Sequence, residues 1–289
     1  MIPIRDSIVV RTTPTVVYAL IVANVLVFLL QISMTGVVGR EFIYEYALVP
    51  LRYANPNWAA YQGLSPNDYS PFVSSFFMHG GFLHILVNMW TLYIFGSSVE
   101  SRYGSVTFFV FYLLCGIAAN VAHFYFNQDS AVPVLGASGA VAGVMGAYAM
   151  TFPRARLIML VPIVFIPLFF ELPALSFVVL WFGLQVLQGA VEMLRPSMGG
   201  GIAWWAHIGG FIAGIALLPL LWIGGIGRKG SVYDSRRGQP YRARTGVRRS
   251  GKGLRVPQTG PPRPPRSADS GGDADTGTDP GDRGPWSRS

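Results

Sequence analysis

Long apolar runs alternate with short polar connections over most of this chain. A bilayer span needs roughly 20 mainly apolar residues. Six stretches meet that pattern: residues 15–35, 82–100, 106–126, 135–152, 173–194 and 203–223. The fourth is short and rich in Gly and Ala, so it is expected inside the bundle rather than against lipid. Residues 157–170 are also apolar, but Pro162, Pro167 and Pro173 interrupt them. Proline removes a helical donor and clashes with the preceding turn. This stretch is therefore predicted as an interfacial loop leading into the fifth span, with a re-entrant segment as the alternative. The pattern predicts an all-α polytopic membrane protein, a six-transmembrane-helix bundle. It divides into a short cytoplasmic segment (1–14), a membrane-embedded domain (15–226) and a tail (227–289).

Charge sets the expected orientation. Lys and Arg concentrate on cytoplasmic flanks. Arg5 and Arg11 precede span one, Arg102 lies between spans two and three, and Arg154 and Arg156 lie between four and five. A basic cluster follows span six. The opposite connections hold Arg40, Arg52 and Arg195 against Glu41, Glu45, Asp68, Asp129 and Glu192. Both termini are thus expected in the cytoplasm. The net charge of +8 lies mostly after the last span, from Arg228 to Arg255. There it fits contact with anionic membrane lipid better than nucleic-acid binding. Beyond Gly227 aliphatic residues almost vanish, and disorder is expected. The apolar run after Arg11 is too long for a signal sequence and reads as a retained first span. The first outer connection, 36–81, carries Trp58 and Tyr44, Tyr46, Tyr53, Tyr61 and Tyr69. Such aromatics belong at headgroup level. Cys115 is the single cysteine, so no disulfide framework exists.

The candidate chemistry follows from this topology. His84 and Asn88 lie in the first turns of span two, Ser138 in the first turn of span four, and His207 near the start of span six. All these spans enter from outside, so the four polar groups share the outer third of the membrane. Polar groups at membrane depth are expensive and usually functional. Ser138 is a nucleophile that needs a base, and His207 can be that base. His84 and Asn88 are i and i+4, on one helix face, and both can donate to a developing oxyanion. No Asp lies in any span, so a two-residue dyad is expected. Gly139 and Gly143, with Gly210 and Gly214, form small-xxx-small pairs that let two helices approach closely.

These residues resemble the rhomboid family of intramembrane serine proteases. The resemblance rests on Gly136-Ala137-Ser138-Gly139, on His207 followed by Gly210 and Gly214, and on the run His79 to Asn88. Glu100-Ser101-Arg102-Tyr103-Gly104 resembles the family's Glu-x-Arg-x-Gly turn. The likeness implies a six-span rhomboid-like bundle with Ser138 as nucleophile and His207 as base and then acid. It implies an oxyanion hole of His84, Asn88 and the Ser138 N–H. Gly136, Gly139, Gly210, Gly214, Glu100 and Arg102 are expected to be structural, with Glu100 and Arg102 forming a hydrogen-bonded knot in a loop. Two departures stand out: Ala142 replaces an aromatic that stacks on the histidine in many members, and the Trp-Arg pair of the first loop is missing. What orients His207 is therefore open. His79 is expected either to shape the site or to cap span two, and His123 to sit at the interface.

The expected partners are transmembrane protein substrates and membrane lipid, with no metal and no cofactor. A zinc protease would need His-Glu-x-x-His, which is absent, and an aspartyl type would need two intramembrane Asp residues. An inactive relative that binds clients would be expected to lack the Ser or the His. A transporter would be expected to show polar residues through the full membrane depth. The 196–201 connection is expected to move as a cap over the site. A bacterial plasma membrane is the expected location, with the site opening outward.

Overall fold

The computed structural model describes residues 2–163, 166–194 and 203–224. The expected tail and the 196–201 cap lie outside these residues. In chain order the elements are β1 (Ile2–Asp6), α1 (Thr15–Ser33), α2 (Gly36–Tyr46), α3 (Pro50–Ala54), α4 (Pro56–Tyr61) and α5 (Pro71–Ser74). Next come α6 (Phe82–Thr91), a π-helical turn (Leu92–Gly96), α7 (Ser97–Tyr103), α8 (Ser105–Phe126) and α9 (Ser138–Thr151). Then follow β2 (Arg156–Ile163), β3 (Ile166–Pro173), α10 (Ala174–Leu194), α11 (Trp204–Ala216) and α12 (Leu218–Gly224).

A helix occupies each of the six predicted stretches. Four are long and apolar enough to cross a membrane: Thr15–Ser33, Phe82–Tyr103, Ser105–Phe126 and Ala174–Val191. The others are shorter, with 14 residues in α9 and 13 in α11. On α1, Val17, Leu20, Asn24 and Phe28 form a buried stripe, whereas Val22, Leu26 and Leu29 face outward. Such outward apolar faces suit lipid. α9 is the reverse case, buried continuously from Gly139 to Ala149, as its small residues predict.

α9 packs against α11 and α8. A Cβ on Gly210 would collide with the Gly139 carbonyl, and one on Gly214 with the Gly143 carbonyl. A Cβ on Gly139 would stand 2.6 Å from that of Ala119 on α8. The three helices meet backbone to backbone, which only small residues permit.

The loop predicted at 157–170 is instead a β-hairpin, so the protein is mostly helical rather than all-α. β1, β2 and β3 form an antiparallel sheet in that order. Asp6 pairs with Leu157, and Pro162 lies opposite Pro167. The prolines exclude a helix, but an extended chain accommodates them wherever a ladder donor is not needed. Leu157 and Met159 alternate inward and are fully buried, the period of two expected of a strand with one face on a core.

Glu100 and Arg102 lie in helix α7, not in a loop. The Glu100 carboxylate, 2% exposed, accepts from the Val16 and Val17 N–H groups at 2.9 and 2.8 Å and from the Ser105 hydroxyl at 2.6 Å. Pro14, at the N-cap of α1, supplies no side-chain acceptor. Glu100 thus caps α1 from another helix, where negative charge is favoured. The Arg102 guanidinium lies 5.2 Å from the Tyr103 ring centroid. Nearby, Asp6 Oδ2 accepts from Ser98 at 2.7 Å and from the Tyr148 hydroxyl at 2.9 Å, tying β1 to the end of α9. Burial holds the Asp6 carboxyl above its usual 3.8, and these hydrogen bonds offset part of that rise.

The 36–81 connection folds into short helices around Arg52, which is fully buried. Its guanidinium donates to the Ser65 and Glu45 carbonyls and to the Asp68 carboxylate.

Candidate active site

Ser138 is the first residue of α9, and the chain leading to it is strapped on both sides. Leu48 and Val134 exchange backbone hydrogen bonds, and Gly136 N–H donates to the Ser75 carbonyl at 2.9 Å. Ala137, at the N-cap, has no side chain to cap the helix. The N–H groups at the start of α9 therefore lack an internal acceptor, as helix N-termini do. They point positive dipole ends toward any oxyanion formed beside Ser138.

His207 lies in the first turn of α11, 8% exposed. Its Nε2 stands 2.8 Å from Ser138 Oγ. The glycine seam described above makes this distance attainable, because bulkier residues would hold α9 and α11 apart. Chain segments far apart in sequence thus present a hydroxyl and an imidazole in hydrogen-bond contact.

His84 and Asn88 face the same cleft from α6. The cleft has a volume of about 970 Å³ and is lined by His84, Asn88, Ser138 and His207 together with apolar Val141, Met145 and Trp181. Gly80 N–H donates to His84 Nδ1 at 3.3 Å. An Nδ1 that accepts leaves the proton on Nε2, which makes Nε2 a donor. Asn88 Nδ2 donates to the His84 carbonyl at 3.1 Å. The same nitrogen lies 3.8 Å from where a Gly136 Cβ would be.

Gly136 is a glycine for two physical reasons. Its φ is +127°, outside the range of L side chains. A Cβ there would also stand 2.8 Å from His84 Cε1 and 2.9 Å from its Nε2. The His84 ring fills the space that a side chain would take.

The other two histidines are buried. The His79 ring is fully buried and meets the His84 ring edge-on at 5.1 Å. Its backbone is clamped by Gln31, whose amide donates to the His79 carbonyl at 2.8 Å and accepts from its N–H at 3.1 Å. His123, near the end of α8, is 7% exposed. Glu100 and Arg102 do not line the cleft.

The sequence reading left the orienting partner of His207 unnamed. Gln185 on α10 is in that position, its Oε1 2.6 Å from His207 Nδ1 and its side chain 7% exposed. One helical turn earlier, the Trp181 ring centroid lies 5.9 Å from that of His207. Trp204 stands edge-on to the same ring at 6.2 Å. A glutamine inside an apolar span was itself a usable signal, since amides are costly there.

Similarity to known proteins follows the same residues. Residues 66–223 match the Rhomboid domain. Rhomboid protein 1, mitochondrial, of Saccharomyces cerevisiae is 30% identical over 157 residues, 52% of this chain and 41% of its own length. Rhomboid protease GluP of Bacillus subtilis is 32% identical over 134 residues, 46% of this chain and 24% of its own. The human Presenilin-associated rhomboid-like protein, mitochondrial, is 33% identical over 102 residues, 35% of this chain and 26% of its own. The chain matches less than half the length of each of these relatives. The domain match, by contrast, covers more than half of this chain and includes His84, Asn88, Ser138 and His207. With four membrane-length helices among its described residues, this multi-pass membrane protein belongs to the rhomboid family.

Proposed function

We propose that the protein is an intramembrane serine endopeptidase acting on transmembrane segments of other proteins. The observation that carries this reading is the 2.8 Å contact of Ser138 Oγ with His207 Nε2 inside a cleft faced by His84 and Asn88. Ser138 Oγ attacks the scissile carbonyl carbon while His207 Nε2 accepts its proton. The oxyanion is met by the Ser138 N–H at the start of α9, by His84 Nε2–H and by Asn88 Nδ2. His207 then gives its proton to the leaving amine, and an acyl-enzyme on Ser138 remains. A water, deprotonated by His207, releases the second product. No metal or cofactor takes part.

The substrate's own helix hides its scissile carbonyl. The client must unwind locally, and Gly or Pro near the cut favours that. Family likeness adds a small residue before the cut. The site is assigned to the outer part of the membrane, with both termini in the cytoplasm. The pairing of β1 with β2 supports this by bringing the segments of Arg5 and Arg156 to one end of the bundle. A bacterial plasma membrane is the proposed location, although relatives named as mitochondrial are as similar as the bacterial one.

The test compares wild type with Ser138→Ala in lipid vesicles containing a single-span substrate. Cleavage by wild type alone, with fluorophosphonate labelling of Ser138, supports the reading. Equal cleavage by both proteins would reject it.

A further inference from the structure

We infer that Gln185 is the positioning residue of a Ser138–His207–Gln185 relay, fixing the imidazole in the tautomer that lets it act as a base. This rests on the protease reading above and deepens it. The amide oxygen of Gln185 faces His207 Nδ1 at 2.6 Å, and on the opposite side of the ring Nε2 faces Ser138 Oγ at 2.8 Å. An amide oxygen only accepts, so Nδ1 carries the ring proton. Nε2 is then the bare nitrogen, and Ser138 donates its hydroxyl hydrogen to it. The reverse tautomer would point an N–H at Ser138 and could not take its proton.

The surroundings explain why an amide does this work. Val178, Gln185 and Gly189 are buried positions of α10, and a Cβ on Gly189 would stand 3.3 Å from Ile208 and 3.6 Å from Trp204 Cβ on α11. That close approach brings Gln185 onto the ring. A carboxylate at the same place would be a buried charge at membrane depth, which is costly. The amide supplies direction without charge. Among the described residues, the titratable groups acting on His207 come from two other helices. His84 comes from α6 and His123 from α8. The one tyrosine of α9, Tyr148, stands toward the other end of that helix, its hydroxyl engaged by Asp6. α10 carries Glu192 about two turns beyond Gln185.

The experiment uses the full chain in vesicles with the single-span substrate and compares Gln185→Leu and Gln185→Glu with wild type. Gln185→Leu keeps the volume and removes the acceptor. It is expected to lower kcat about tenfold or more, part of the general-base contribution, with KM unchanged. Gln185→Glu restores the acceptor and is expected to recover most of that kcat. Its acidic limb in the pH profile of kcat/KM should move to higher pH, because a carboxylate stabilises the imidazolium. A role in packing alone would move neither the pH limb nor the Glu rescue. A Leu variant with wild-type kcat, labelled at Ser138 like wild type, would overturn the relay and leave the protease reading intact. So would a rise in kcat, which would mean that the amide N–H donates to Nδ1. Failure of wild type itself to cleave or to label would overturn both.

Discussion

Gly214 of α11 lies against the peptide carbonyl of Gly143 on α9, with no room for a methyl group between them. Backbone cannot swing aside as a side-chain tip can. Gly214→Ala is expected to force the two helices apart, at about 1–3 kcal/mol of overpacking. It should also lengthen the Ser138–His207 contact, and misplacement by about an ångström costs on the order of a hundredfold in rate. Thermal unfolding in micelles and kcat on the single-span substrate check the two effects separately.

Gly136→Ala tests a different constraint. The new methyl would occupy the space of the His84 ring at a φ that L residues avoid. Strain of about 1–3 kcal/mol is expected, together with displacement of His84. The activity loss should exceed what the small drop in melting temperature accounts for. Parallel kinetics and melting curves on one preparation decide it.

His84→Ala and Asn88→Ala each remove one donor of the proposed oxyanion hole. Each is expected to lower kcat by about 10²–10³-fold with little change in KM. The Ser138–His207 contact is untouched by either change. A shift confined to KM would remove them from the oxyanion hole.

Glu100→Gln leaves one carbonyl oxygen where two carboxylate oxygens accept the Val16 and Val17 N–H groups. One buried donor loses its partner, a cost of about 1–3 kcal/mol. The melting temperature should fall while kcat at permissive temperature stays unchanged, since Glu100 lies away from the cleft.

Asp6 makes stability depend on pH. Burial raises its folded value above 3.8, so the folded protein holds that proton more tightly than the unfolded chain. Its contribution is therefore greatest below 3.8 and is lost as pH rises through the folded value. Asp6→Asn has no such loss. The melting temperature of Asp6→Asn relative to wild type should rise as pH increases from about 4 toward neutrality.

The candidate site residues were readable before the fold because their setting is so apolar. Ser138, His207, His84 and Asn88 stand out as polar groups in lipid-length runs, and the glycines four apart announce close helices. Gln185 was harder to isolate. Gln188 follows it by less than one turn, and only packing shows which of the two meets His207. The hairpin was missed for a physical reason. Prolines forbid helix without specifying what replaces it, and the uniform apolarity of 157–170 hides the alternation that Leu157 and Met159 reveal. β1 depends on β2 for its partners, so it leaves little local pattern.

α9 has 14 residues, and at its far end Tyr148 is fastened to Asp6. A helix of that length reaches about 21 Å, against about 30 Å of hydrocarbon. If the fastened end marks one membrane boundary, Ser138 stops about 9 Å short of the other, less than two helical turns. On the protease reading proposed above, water for deacylation then has only that distance to travel, and a client need draw only its last turns out of lipid. On that reading, the length of one buried helix acts as a ruler for the depth of the cut.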